Sequence, residues 1–397
     1  MNAETLHPRG LPYNPDILRW AREWRGRSIA DAAQKAGVSE DKVTAWERGE
    51  ATPTVRQARM LAACYDRPFL EFFLSKRPNV AAPALVPDFR LHREAPDPTG
   101  DRELMAVQSW AEEIRHSALD LYLLNYDEAP ALPEGFEATI NISPEWAAKI
   151  ARGLTRFSVE EQIGLKSAER GQVSKLFRRS IEELGILVLK NSDLAKYQVR
   201  GMTIFADPLP VIVYSTEAPT AQAFTMAHEL GHVMLKQSAI SGPPSAHDGA
   251  GDAETFERWC DEFAGAFLVP ADALSLIWAK PNTPVASLGD DALRQLANTF
   301  SISRHAMLIR LVYLGYVEPS YYWQVKRPDF LKEEAEFRGG GRPLYYGSRY
   351  RNANGDLFTG LVLDAWGNGR ITNHNAAELM GIKSLQHLYD IRDNFSQ

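Results

Sequence analysis

The chain has 397 residues, of which 45% are apolar and 24% charged, with 44 Lys and Arg against 51 Asp and Glu. That length predicts two or three domains with ordinary buried cores, and the composition excludes a disordered, collagenous or disulfide-framed polypeptide. No run approaches the roughly 18 uncharged apolar residues of a transmembrane helix.

In chain order, residues 1–14 are read as an amino-terminal tail without the apolar stretch of a secretory signal. The two cysteines, Cys64 and Cys260, fall in separate modules, as expected of a protein kept in a reducing cytoplasm. Residues 15–78 carry five short helical runs, over 16–25, 29–36, 40–48, 55–65 and 69–74. Ile17, Trp20, Ala21 and Trp24 share one face of the first. Ser28 and Ser39 stand where N-caps belong, and Gly37 supplies a tight turn between the second and third. Ala32, Ala33, Val38, Val43 and Trp46 face inward around that turn, which is the helix-turn-helix pattern.

The run over residues 28–54, S-I-A-D-A-A-Q-K-A-G-V-S-E-D-K-V-T-A-W-E-R-G-E-A-T-P-T, resembles the repressor-type (XRE, Cro/cI) helix-turn-helix domain. The resemblance implies contact with double-stranded DNA and a tendency to form homodimers. Ser39, Lys42, Thr44 and Arg48 are the side chains that would reach DNA, with Gln34 near the backbone. Residues 15–78 hold 12 Lys and Arg against 9 Asp and Glu, while residues 79–397 carry a net −10. A basic module on an acidic body fits DNA contact through this end. Glu40 and Asp41 open the recognition helix and would oppose phosphates, so a protein-interaction module is the competing expectation.

Residues 79–100, with Pro83, Pro87, Pro96 and Pro98, read as an extended linker. A second domain is expected over 101–319. Helices over 102–124, 146–157 and 172–184 precede strand-like runs at 186–190, 201–205 and 211–215, a small sheet whose edge is suited to holding a substrate backbone by strand addition. Next comes His228-Glu229-Leu230-Gly231-His232 in a mostly apolar run that reads as a buried helix. Residues four apart on a helix lie one above the other, so His228 and His232 can share one cation. Glu229 points away from both, placed to take a proton from water beside the metal.

A catalytic zinc site needs a third protein ligand. The helical run over 254–269, ended by Pro270, has an apolar face of Phe256, Trp259, Cys260, Phe263, Ala264 and Phe267. Glu257 and Asp261 share its other side. Glu257 is the leading candidate ligand, and Asp261 would accept the second ring N–H of a ligating histidine. Glu254 and Glu262 are rival carboxylates, His247 is a rival in a Gly/Pro/Ser-rich loop, and Cys260 is a soft donor on the apolar face.

T-x-A-H-E-L-G-H followed by E-x-x-C-D-x-F-A-x-x-F-L-V-P resembles the ImmA/IrrE family of zinc metallopeptidases. The resemblance implies Zn2+ as cofactor, His228, His232 and Glu257 as its ligands, and Glu229 as general base. It also implies that the substrate is a regulatory protein such as a helix-turn-helix repressor. The competing reading is a DNA-binding regulator or antitoxin, partnered with a neighbouring toxin, whose zinc site is structural or silent.

Residues 292–314 predict two helices, the second resembling the closing helix of that family's catalytic domain. His305 there reads as locally satisfied, and Tyr214 as a strand tyrosine with a wet hydroxyl or, less simply, a transition-state donor. Residues 320–397 form a C-terminal extension of unread role, with strand-like patches over 344–363 around a turn at Asn354-Gly355, then two helices over 371–389. The elements together predict an α+β, mostly helical fold: a five-helix repressor-type domain followed by a zincin-like metallopeptidase domain with a small β-sheet.

Overall fold

The computed structural model describes residues 13–25, 27–65, 67–78, 98–165, 169–197, 199–241, 252–279, 281, 283–336 and 345–395. The chain divides into two compact units, residues 1–85 and 86–397. No helix among the described residues is long and apolar enough to cross a membrane.

The first unit contains the α-helices Pro15–Trp24, Ile29–Ala36, Glu40–Glu47 and Val55–Tyr65 and the 3₁₀ turn Phe69–Phe73. The second helix is capped reciprocally. The Ser28 hydroxyl accepts the Asp31 N–H at 3.1 Å, and the Asp31 carboxylate accepts the Ser28 N–H at 2.8 Å. Ile17, Leu18, Ala32, Val43, Trp46, Leu61 and Phe72 form a single core. The Arg22 guanidinium forks onto Glu47 at 2.6 and 2.9 Å, tying the first helix to the third. The fifth element differs from the expected α-helix. Held to five residues behind Pro68, it closes with i→i+3 bonds only.

The second unit is built on a four-stranded mixed sheet. Its strands are β1 (Leu187–Lys190), β2 (Gly201–Ile204), β3 (Val211–Tyr214) and β4 (Ala239–Ser241), in the order β1-β3-β2-β4. β1 runs parallel to β3, while β2 is antiparallel to both β3 and β4. The first three match the predicted strands; the three-residue β4 was too short to read in the sequence. Side chains alternate across the sheet. Val188, Ile212 and Tyr214 enter a core with the helices Pro144–Thr155, Val173–Glu182, Pro219–Met234 and Asp252–Leu268. Leu187, Leu189, Met202, Ile204, Val211 and Val213 enter another, with the helix Pro98–Leu124 and the carboxy-terminal helices. Burial on both faces explains why the strands read as continuous apolar runs rather than as alternations.

The predicted strands over 344–363 are corrected. Residues Ser348–Gly367 are helical, broken only at Gly355 (φ 83°, ψ 164°). Phe358, Val362 and Ala365, four and three apart, pack over the sheet as a helical face. The Asn354-Gly355 pair, which resembles a hairpin turn, instead kinks one helix into two. Two further helices, Asn373–Leu379 and Leu385–Asp393, complete this layer. The helix expected from residue 102 begins at Pro98, within the range read as linker. The rest of that range lies outside the described residues, as do residues 1–12.

Candidate metal centre

Every residue from Gln222 to Met234 on the helix Pro219–Met234 is buried. One side faces β2 and another crosses the helix Asp252–Leu268. The crossing is close because residue 231 is glycine. A Cβ there would lie 3.2 Å from both Cys260 Sγ and Phe263 Cδ1.

This approach brings together three donor atoms from two helices. His228 Nε2 and His232 Nε2 are 3.2 Å apart. The Glu257 carboxylate reaches His228 Nε2 at 3.3 Å and His232 Nε2 at 3.1 Å. Four ligands at about 2.0–2.1 Å from a zinc ion in a tetrahedron are separated by about 3.3–3.4 Å. The three contacts are close to that length, with Glu257 reaching His228 through Oε2 and His232 through Oε1. The Asp261 carboxylate lies 2.7 Å from His228 Nδ1. With Nδ1–H donating to Asp261, the Nε2 lone pair is turned toward the other two donors. Asp261 and His232 are fully buried, and His228 and Glu257 are nearly so.

Burial alone would push the Glu257 carboxyl up, but the two imidazoles beside it prevail and hold it at about 2. Burial opposes charge on His228, yet Glu257 and Asp261 raise its pKa. Three carboxyl groups, of Glu229, Glu257 and Asp261, are buried around two imidazoles, a set of oxygen and nitrogen donors that suits a dication. His228, His232 and Cys260 also form a compact donor set, with ligand atoms within 4.8 Å of one another. Glu257 is the alternative third donor to Cys260, whose thiol is held well above its ordinary pKa by burial and then by the carboxylates of Glu257, Glu229 and Asp261.

The Glu229 side chain leaves a neighbouring flank of its helix and meets β2. Thr203 Oγ1 donates to Glu229 Oε2 at 2.6 Å, and Glu229 Oε1 is buried without a hydrogen-bond partner among the described residues. Burial raises the pKa of this carboxyl. The rival carboxylates stay outside the cluster: Glu262 accepts from Arg258 at 2.9 Å, and Glu254 is half-exposed. His247 lies outside the described residues. His305 is buried, with Nδ1 2.9 Å from Glu334 Oε1 and Nε2 3.1 Å from the Tyr322 hydroxyl. The Tyr214 hydroxyl is dry, not wet, and accepts from Arg178 Nη1 at 3.3 Å, on β3 opposite Gly201. Sequence reasoning missed Thr203 and Gly201. Their only trace was a glycine and a hydroxyl two apart on a predicted strand.

In the first unit, Gln34, Ser39, Lys42 and Arg48 are exposed, whereas Thr44 is half-buried and its hydroxyl donates to Glu40 O at 3.0 Å. Ser39 occupies the N-cap position of the third helix without a side-chain cap bond.

Residues 181–312 match the family model of the IrrE N-terminal-like domain, a peptidase family, and residues 16–68 match that of a helix-turn-helix domain. No curated protein matches the chain. The chain is therefore similar to a helix-turn-helix domain over residues 16–68 and to the IrrE N-terminal-like peptidase domain over residues 181–312.

Proposed function

We propose that the second unit is a zinc-dependent endopeptidase that cleaves a regulatory protein, such as a helix-turn-helix repressor, and that its action is coupled to transcription through DNA binding by the first. The observation that carries this reading is the triangle of His228, His232 and Glu257, with the Glu229 carboxylate beside it and not part of it. A structural zinc site is closed by four protein ligands and has no use for a base; three donors and a neighbouring carboxylate are the parts of a hydrolase.

His228, His232 and Glu257 would hold the ion, and Asp261 would fix the tautomer of His228. When bound, zinc supplies Lewis acidity that polarises a scissile carbonyl and acidifies water to a pKa near about 7. Glu229 Oε1, the oxygen without a partner among the described residues, takes the proton from the attacking water and delivers it to the leaving amine. β4 ends the sheet beside His232, with Ser241 Oγ 3.5 Å from His232 Nε2, and is the strand along which an extended peptide would align.

The reading is tested by co-expressing the chain with the products of neighbouring genes and mapping fragments by mass spectrometry. Cleavage of a small repressor is the expected result. A zinc-loaded protein that cleaves none of them but copurifies with a toxin would favour the antitoxin reading instead. Asp261→Asn is expected to weaken zinc affinity by about 10- to 100-fold, measured by competition with a chelating dye, because the imidazole it orients loses its anionic acceptor. Unchanged affinity would remove Asp261 from the metal centre.

For DNA, the exposed Lys42 and Arg48 are the contacts of greatest reach. In the full chain, Lys42→Ala should reduce affinity for its own promoter and flatten the dependence of binding on log salt by about one unit. A slope identical to wild type would show that this helix does not face phosphate.

A further inference from the structure

The Glu229 carboxylate sits in a socket made by one strand. β2 is central, paired to β3 and β4 on its two sides, with Thr203 opposite both Ile212 and Ala239. Residues 201 and 203 point to the same face of a strand, here the face packed against the helix Pro219–Met234. At 201 there is no side chain, and the carboxylate fills the space: a Cβ would lie 2.2 Å from Glu229 Oε1 and 2.6 Å from its Cδ. At 203 there is a hydroxyl, 2.6 Å from Glu229 Oε2 and 3.1 Å from the Glu229 carbonyl oxygen. Thr203 and Glu229 are both fully buried.

We propose that Thr203 is a positioning residue for Glu229: its hydroxyl holds Oε2 while Oε1 and the carboxyl carbon lie over the bare Cα of Gly201, and the two together fix where the carboxylate sits beside the metal centre. This rests on the base role assigned to Glu229 above. The hydroxyl has a single proton. The shorter, charge-assisted contact to the carboxylate takes it, since an ionised acceptor outcompetes a carbonyl at longer range. Without that donor, a fully buried carboxylate would lose the one side-chain hydrogen bond it has among the described residues and would leave the socket. That leaves the metal donors untouched, because His228, His232 and Glu257 take no part in the socket. Gly201 belongs to the same device, for any side chain there occupies the carboxylate's place.

The test uses the full chain with Thr203→Val, which keeps the volume and removes the donor, and Thr203→Ser, which restores it. Zinc content should match wild type in both. A crystal structure of Thr203→Val should find the Glu229 carboxylate turned out of the Gly201 socket, and one of Thr203→Ser should find it back in place. Acetohydroxamate, a zinc-binding probe whose proton a neighbouring base accepts, should bind the zinc-loaded Val variant about 10-fold or more weakly than wild type, with Ser near wild type. A Val variant whose Glu229 density superimposes on wild type would overturn the proposal, as would a Ser variant that behaves like Val. Gly201→Ala provides an independent check: zinc retained with the carboxylate displaced supports the socket, and the carboxylate unmoved refutes it. Failure of the peptidase reading is distinguishable, because it would appear as wild-type protein without zinc, whereas the orientation of Glu229 is read from the variants themselves.

Discussion

Glu229→Gln is expected to retain wild-type zinc content while slowing cleavage of the target protein by about 10²- to 10⁴-fold, the usual contribution of a positioned general base. Gln is nearly isosteric, and its carbonyl oxygen can still accept from Thr203, so the fold is left alone. What is lost is the basic oxygen. Glu257→Ala is the matched control, because it removes a donor whose oxygens lie 3.1 and 3.3 Å from the two imidazoles. That variant should lose zinc and activity together, whereas Glu229→Gln should separate them. Elemental analysis and fragment mapping by mass spectrometry read both quantities on the same preparations. Retained cleavage in Glu229→Gln would reject the base role. Full zinc in Glu257→Ala would move the third ligand elsewhere, with Cys260 the next candidate.

Gly355→Ala should be among the most destabilising single substitutions in the second unit. Gly355 has φ 83° and ψ 164°, a region that residues with a Cβ avoid. Its added Cβ would also lie 2.2 Å from Glu182 Oε1 and 2.7 Å from the Val188 carbonyl oxygen. The kink serves a docking contact. It presents the Asp356 N–H to the Glu182 carboxylate at 3.0 and 3.2 Å, while Arg178 Nη1 donates to Asn352 O at 2.7 Å. Burial pushes the Glu182 carboxyl up to about 7, against the pull of the Arg178 guanidinium. Strain and collision together are expected to cost about 3–5 kcal/mol. In calorimetry the transition should fall by roughly 5–10 °C. Gly153→Ala is the contrast. It lies within the helix Pro144–Thr155 with nothing within 4 Å of the added Cβ, so it should stabilise by about 0.5–1 kcal/mol. A Gly355→Ala protein that melts with wild type would show that the carboxy-terminal helices do not depend on this junction.

The misreading of residues 344–363 has the same origin. Asn-Gly between apolar runs is a local hairpin signal, yet Phe358, Val362 and Ala365 carried an equally local helical spacing. What decided between them was Glu182, more than 170 residues earlier in the chain, whose carboxylate caps the second half of the kinked helix. A partner at that separation leaves no mark on the local pattern. The first unit was read almost element by element for the opposite reason: its caps, turns and apolar stripes lie within four residues of one another, as in the Ser28–Asp31 box.

The metal centre divides along the same line. The placing of His228 above His232, and of Glu257 on the side of Asp261, follows from 3.6 residues per turn and was legible in the chain itself. That Glu257 and Cys260, and not Glu254 or Glu262, come to the imidazoles follows from how two helices cross at Gly231, a matter of packing between segments about 25 residues apart. The socket for Glu229 lies further out of reach of sequence, because a strand 26 residues upstream provides both its empty Cα and its hydroxyl. Periodicity records what a segment does with its own backbone; the partner a buried polar group finds is chosen by the fold, since only the assembled core brings donor and acceptor within 3 Å.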